Sequence, residues 1–405
     1  MRAPEFDIVS SSFHADPSRA LKLMRAAAVP FVSVRLPIVG RMMLCVTHEA
    51  CGALLKDKDT FVRDPANAGV RLQDRILRIL PRSIGLLALN MLGKDDPEHR
   101  HLRGLVDQAF QRGSIQAMRP IITAVADDLL DRLEGRDEAD LMEEFCRDLP
   151  LSVICVLLGL PEEDHEQFKN WLGGLKDTAN IGAVIRAIPG VLRVVRYLRK
   201  SSRPGGRVKA DGLIESLRDT AIDGRRLSED EIVSMVFLLF GAGQETTTHL
   251  IAGGLFEILR NEDQRRRLEA DYGLMPLCVE ECLRHVSPVQ FTKPRWASRD
   301  VVFAGQEFKR GDSVAAFLTA ANRDPNEFEN PDVFDITRKP NTHLSFGTGV
   351  HFCLGFQLAR AEVAIGFERI LTRFPRVRLA AHPNNAVWRK RVGIRTLAHL
   401  PVRLR

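Results

Sequence analysis

Forty-five per cent hydrophobic and 27% charged residues over 405 positions give enough apolar material for a substantial core and exclude disordered and fibrous classes. Lys plus Arg number 58 against 52 Asp plus Glu, a net charge of +6 too weak and too dispersed for nucleic-acid binding but compatible with an acidic protein partner. The seven cysteines, at 45, 51, 146, 155, 278, 282 and 353, have the spacing of neither a disulfide framework nor a zinc site, which predicts a cytoplasmic protein.

The segment from Met1 to Phe13 carries Glu5 and Asp7 and no apolar stretch, so neither a signal peptide nor a membrane anchor is expected. Scarce aromatics and abundant Ala, Leu, Arg and Glu favour helices over sheet. From Pro120 to Leu133, Ile121, Ile122, Val125, Leu129, Leu130 and Leu133 recur at a helical period, with Pro120 suited to the first helical position. Leu149 to Pro161 is the best apolar run and falls short of the roughly 20 residues that span a bilayer. After the polar turn Asp177 to Asn180, the tract Ile181 to Ala210 holds Arg186, Arg193, Arg196, Arg199, Lys200, Arg203, Arg207 and Lys209 without an acid. Its plain reading is a solvated helix face followed by a Pro204-Gly205-Gly206 loop; contact with an anionic ligand or a membrane surface is the alternative. Ser228-Glu229-Asp230-Glu231 is a capping box, and the helix it opens persists to about Arg260, apolar nearly all round in its first half. No repeat or linker divides the chain, so residues 1–405 are expected to form one domain.

A glycine-punctuated loop, Ser345 to Gly355, precedes the last strong helical pattern, Phe356 to Ile370, and carries Cys353. A cysteine at a helix N-terminus has its thiolate favoured by unpaired amides and the helix dipole, and Gly347 and Gly349 let backbone approach a ligand. With no second cysteine nearby, a single axial bond to haem iron, a catalytic nucleophile and a buried structural cysteine all stay open on chemistry alone.

Phe346, Gly349, His351, Cys353 and Gly355 match the characteristic positions of the haem-binding loop of the cytochrome P450 family, and the chain resembles a soluble bacterial-type member from about Asp95 to its C-terminal region. The resemblance implies a mainly α fold, a helix-rich domain with a smaller β region and a long central helix over haem b, with Cys353 as the iron ligand. Ala242-Gly243-Gln244-Glu245-Thr246-Thr247 resembles the oxygen-activation motif, so Thr246 would hydrogen-bond bound dioxygen and a water while Glu245 helps deliver protons. Gly243 is expected where the helix passes close to the macrocycle. Taken without the family, Thr246 would simply bond back to a helix carbonyl.

His99 and Arg103, one helical turn apart, together with Arg295 and His351, would meet the haem propionates. Glu281 and Arg284 would form a buried ion-pair network with a downstream basic residue, bracing the cysteine loop. Leu238, Ala242, Val289, Phe291 and Ile394 look like pocket positions and favour a hydrophobic small-molecule substrate. The segment Ile84 to Leu92 lies where the family covers the pocket. The implied activity is insertion of one oxygen atom from dioxygen into that substrate, with electrons from NAD(P)H through a separate ferredoxin, or a flavodoxin, and its reductase. A peroxygenase using hydrogen peroxide and a non-catalytic haem ligand-binding protein are the alternatives; Glu245-Thr246 argues against the first, whose chemistry needs no dioxygen proton relay.

Overall fold

The computed structural model describes residues 6–8, 10–27, 29–36, 40–70, 90–107, 112–172, 181–203, 205–209, 212–222, 224–389 and 391–405. Among them, seven helices run for ten residues or more: α1 (Glu98–Asp107), α2 (Arg112–Asp131), α3 (Asp148–Leu158), α4 (Ile181–Ser201), α5 (Glu229–Arg260), α6 (Met275–Val286) and α7 (Phe356–Arg373). The expected capping box opens α5: the Glu231 N–H donates to Ser228 Oγ at 3.2 Å and the Ser228 N–H to Glu231 Oε2 at 2.9 Å. Its 32 residues pack against α3, α4, α6 and α7, so the helix runs through the body of the protein.

Pro120 does not open a helix. It lies inside α2, which starts at Arg112. Lacking an N–H, Pro120 leaves one turn of the ladder open, a local cost that the packing of α2 against α7 and α3 overrides.

The second half of α5 is buried on nearly every side, and two small residues let its neighbours close in. A Cβ on Gly253 would stand 2.5 Å from Val286 Cγ1 of α6; one on Gly254 would stand 2.5 Å from Phe367 Cζ of α7 and 3.1 Å from Cys282 Sγ. Phe367 and Cys282 are both fully buried, so neither can swing away. Gly254→Ala is therefore expected to destabilise the fold by about 1–3 kcal/mol through overpacking, seen as a lower denaturation midpoint. An unchanged midpoint would show that α5 and α7 have slack at their crossing.

Five strands form the larger sheet: β1 (Phe31–Leu36), β2 (Gly40–Cys45), β3 (Phe61–Val62), β4 (Arg295–Ala297) and β5 (Ser313–Ala316), in the order β1-β2-β5-β4-β3. All neighbours are antiparallel except β2 and β5. Val314 of β5 faces Arg295 of β4 in register, which fixes the arginine at the sheet's inner strands. The mainly α fold with a smaller β region is thus the observed architecture.

No helix among the described residues is long and apolar enough to cross a membrane. Of the basic tract, Arg199, Arg203 and Arg207 are taken up by Asp230, Glu229 and Glu163 at 2.6, 3.2 and 2.5 Å, which favours the solvated-face reading over an anion site. The turn at 177–180 lies outside the described residues.

Candidate active site

The cysteine loop is held from three sides. Backbone closes it: the Cys353 N–H donates to the Phe346 carbonyl at 2.9 Å. Gly349 has φ +74, and a Cβ there would lie 2.5 Å from the Leu55 carbonyl oxygen, so the loop presses on the helix His48–Lys56 where no side chain fits. Asn322 braces the other flank, donating to Ser287 Oγ at 2.9 Å and Ser345 Oγ at 2.8 Å while its Oδ1 accepts from the Leu344 N–H at 2.7 Å. The Arg360 guanidinium lies 4.7 Å over the Phe346 ring.

Within this loop the Gly355 N–H bonds to the Cys353 sulfur, and Arg103 and Arg360 are close enough to favour an anion. Even so, burial pushes the Cys353 thiol up from its ordinary value and outweighs all three. The loop amide and the two arginines favour the anion as the sequence suggests, while burial opposes it. Desolvation wins because the sulfur is enclosed by the loop, and a metal cation at the sulfur would reverse that balance.

Around His351, two residues before the cysteine, cationic and imidazole groups converge. Arg103 of α1 donates to the Phe352 carbonyl at 2.6 Å and the Val350 carbonyl at 3.3 Å. The His99 and His351 rings are 4.1 Å apart between centroids, with His99 Nδ1 3.4 Å from Asp96 Oδ1. Arg295 donates to the Phe61 carbonyl at 2.9 Å and the Leu55 carbonyl at 3.0 Å. Arg63, which the sequence reading missed, joins them by donating to the carbonyls of Lys293 at 2.5 Å and Pro294 at 3.2 Å. No motif flags Arg63; its place follows from β3 pairing with β4.

The Nε–H groups of Arg63 and Arg295 are buried without a partner. Burial, then the charges of Arg63, His99, Arg295 and Arg103, lower His351 to about 2, so its ring is neutral and still a donor. A sulfur donor on the same loop as a neutral imidazole that gathers unpaired arginine N–H groups fits an iron porphyrin, the sulfur for the metal and the donors for its carboxylates.

On α5 the acid-alcohol pair has partners of its own. Glu245 forms an ion pair with Arg391. The Thr246 hydroxyl donates to the Ala242 carbonyl at 2.7 Å, the back-bonded arrangement that threonine adopts on any helix. Gly243 departs from expectation: a Cβ there would touch Ile154 Cδ1 of α3 at 3.4 Å, an ordinary contact, so this glycine faces α3.

Of the expected pocket positions, Val289 and Ile394 are bridged antiparallel, with the Gln290 N–H donating to the Gly393 carbonyl at 2.9 Å. Phe291 sits beside Gly393 and packs on the N-terminal cluster containing Ile8 and Phe13, which draws it partly toward that core. Leu238 is half-buried against the main core and Ala242 is exposed. Residues 84–89 of the expected cover lie outside the described residues.

Glu281 and Arg284 of α6 are both fully buried and paired twice, Nε to Oε2 at 2.8 Å and Nη2 to Oε1 at 2.7 Å. The downstream basic residue is Arg338, whose Nε lies 3.2 Å from Glu281 Oε2. Arg284 also donates to the carbonyls of Asn322 at 3.0 Å, Pro331 at 2.7 Å and Val333 at 2.9 Å.

One residue away, Glu280 accepts from Arg360 at 2.6 and 2.7 Å and pairs with His343 at 3.1 Å. Burial raises Glu280, but the Arg360 and His343 hydrogen bonds outweigh it and hold the carboxyl at about 2. Its folded value is below its unfolded one, so its stabilisation is complete above about pH 5 and is lost as pH falls toward 2. Thermal midpoints measured from pH 6 to pH 2 should fall less steeply in Glu280→Gln than in the parent; parallel curves would refute the linkage.

The family model described as Cytochrome P450 matches residues 191–380. The polyketide biosynthesis cytochrome P450 PksS of Bacillus subtilis is 39% identical over 361 residues, covering 89% of this chain and 88% of that protein. Among solved structures, the myxobacterial cytochrome P450 CYP267B1 in complex with myristic acid superposes with a TM-score of 0.89 at 38% identity, covering 98% of each chain. P450BioI in complex with an acyl carrier protein ligated to hexadec-9Z-enoic acid gives a TM-score of 0.87 at 33% identity, covering 97% of this chain and 100% of that one.

Proposed function

The chain belongs to the cytochrome P450 family, and from that premise we propose which of its residues carry the reaction and what kind of substrate they receive. It is a monooxygenase acting on a small organic substrate: one atom of dioxygen enters the product and the other leaves as water, with electrons and protons supplied from outside the substrate. Haem, held through the Cys353 sulfur, would supply the redox chemistry, with the thiolate as an electron-rich ligand to its iron.

Around that group, Arg63, His99, Arg103, Arg295 and His351 bind and orient the carboxylate edge. Thr246, its hydroxyl proton committed to the Ala242 carbonyl, presents oxygen lone pairs that can hold a water. Glu245 takes up a proton at its carboxylate and passes it on, a general acid-base role. Leu238, Ala242, Val289, Phe291 and Ile394 give an apolar lining that orients substrate and excludes water.

The substrate proposed is an extended lipophilic chain of the fatty-acyl or polyketide kind. Support comes from the apolar character of those five positions, from the polyketide relative and from the two neighbours holding C14 and C16 chains. A reduced ferredoxin, or a flavodoxin, would bring single electrons from NAD(P)H through its reductase, steered as an acidic protein by the surplus of positive charge. The cytoplasm, where those donors are kept reduced, is the expected location.

The observation that carries this reading is Cys353 held at the head of α7, two residues from His351, around which Arg63 and Arg295 gather with unpaired N–H groups. A ferrous carbon monoxide difference spectrum tests it, and a far-red Soret band is expected. Myristic acid should then shift the ferric spin state, and a surrogate ferredoxin, reductase and NADH should sustain turnover. Turnover with hydrogen peroxide alone would favour the peroxygenase reading. Ligand-dependent spectra with no oxygenated product would favour the binding-protein reading.

A further inference from the structure

The Arg391–Glu245 pair joins residues 146 positions apart, and nothing in the proposed reaction uses the arginine. Its setting is specific. The Glu245 side chain is 31% exposed, whereas that of Arg391 is 9% exposed, so the acid borders open space and the cation is anchored behind it. Anchoring comes from the C-terminal segment, fixed at several points just beyond Arg391. Gly393 accepts from the Gln290 N–H at 2.9 Å, Ile394 bridges Val289, and the Arg395 N–H donates to the Pro288 carbonyl at 3.0 Å. One turn further along α5, the Thr396 hydroxyl lies 2.7 Å from His249 Nδ1. This segment therefore latches α5 at Glu245 and again at His249.

We propose that Arg391 is a positioning residue that holds the Glu245 carboxylate in one orientation at the open side of α5. The inference rests on the reading of Glu245 as the proton-delivering acid. A flexible carboxylate on a helix samples several rotamers, and a guanidinium fixed by the opposite wall selects the one that meets it. Proton transfer depends on that geometry, because a misplacement of about 1 Å can cost up to a hundredfold in rate. The same tie joins the acid to the segment carrying Ile394, so the proton path and one wall of the pocket move as one piece.

The test uses holoenzyme variants Arg391→Gln, Arg391→Lys, Glu245→Gln and the double variant Arg391→Gln/Glu245→Gln, each first checked for a parental ferrous carbon monoxide Soret band. Two readouts follow: the C–O stretching band of that adduct, which senses nearby polar groups, and NADH oxidation with the fraction of electrons recovered as hydrogen peroxide, using myristic acid as probe. Arg391→Gln should broaden or split the C–O band and slow NADH oxidation roughly tenfold with more peroxide, within the range that misplacement allows. Arg391→Lys should recover most of both, and Arg391→Gln should change neither further in the Glu245→Gln background.

If Glu245→Gln alters both readouts while Arg391→Gln matches the parent, the positioning role is overturned and the acid's role stands. An undiminished Arg391→Gln effect without Glu245 would also overturn it, since the arginine would then act on its own. If Glu245→Gln matches the parent, the reading of Glu245 falls first, and the inference with it. Should Arg391→Gln fail to take up haem, Arg391→Lys decides: a parental C–O band supports the proposal, and a split band with parental peroxide release overturns it.

Discussion

Cys353→Ala is expected to abolish the far-red Soret band of the ferrous carbon monoxide adduct and reduce monooxygenation below detection, while the protein stays folded. The geometry separates these effects. Cys353 meets the rest of the loop through its backbone N–H to Phe346, which alanine keeps, whereas the sulfur's partner, the Gly355 N–H, belongs to the same loop. The five cationic and imidazole donors are untouched, so a porphyrin could still be held by its carboxylates. What would go is the soft donor proposed to set the iron's electronic character. Visible spectra and far-ultraviolet circular dichroism on the same samples check both halves. A far-red band surviving in the variant would remove Cys353 from its role. Loss of helical signal would show the thiol to be structural instead.

Much of this site was legible because its signals are local. A capping box is four consecutive residues, and Ser228 to Glu231 close it as their spacing demands. The cysteine loop is likewise contiguous, and its glycine at 349 marks a real close approach to the Leu55 carbonyl. Where the reading failed, the deciding partner was distant in sequence. Pro120 is a good first residue by propensity, but contacts of α2 with α7 extend the helix on its N-terminal side. Gly243 invited a pocket-side explanation, yet its neighbour is Ile154, some ninety positions earlier. Arg63 and Arg391 carry no motif at all; strand pairing places the first and the C-terminal bridge the second.

Glu281→Ala should produce the second large effect, and by a different route. Arg284 is fully buried, and without Glu281 its charge keeps only carbonyl partners at Asn322, Pro331 and Val333. An uncompensated buried charge of this kind costs about 3–5 kcal/mol, a large share of the 5–15 kcal/mol by which a typical domain is stable. The carboxylate also accepts from the Asp335 N–H at 2.8 Å, Arg338 Nε at 3.2 Å and Asn341 Nδ2 at 3.2 Å, so three further donors lose their acceptor at once. Glu281→Gln keeps an acceptor oxygen and the shape but not the charge, and should fall between Ala and the parent.

Denaturation midpoints measure the first consequence, and the haem spectrum measures a second that simple destabilisation would not produce. Arg284 donates to the Asn322 carbonyl, Asn322 donates to Ser345 Oγ, and the Asn322 side-chain oxygen accepts from the Leu344 N–H, two residues before Phe346. Releasing Arg284 therefore loosens the anchor from which Phe346 holds the Cys353 N–H. In whatever fraction still folds, the ferrous carbon monoxide Soret band should shift partly from its far-red position toward that of haem lacking a thiolate. A destabilised variant with an unshifted band would confine the pair to stability and break the proposed link from α6 to the cysteine.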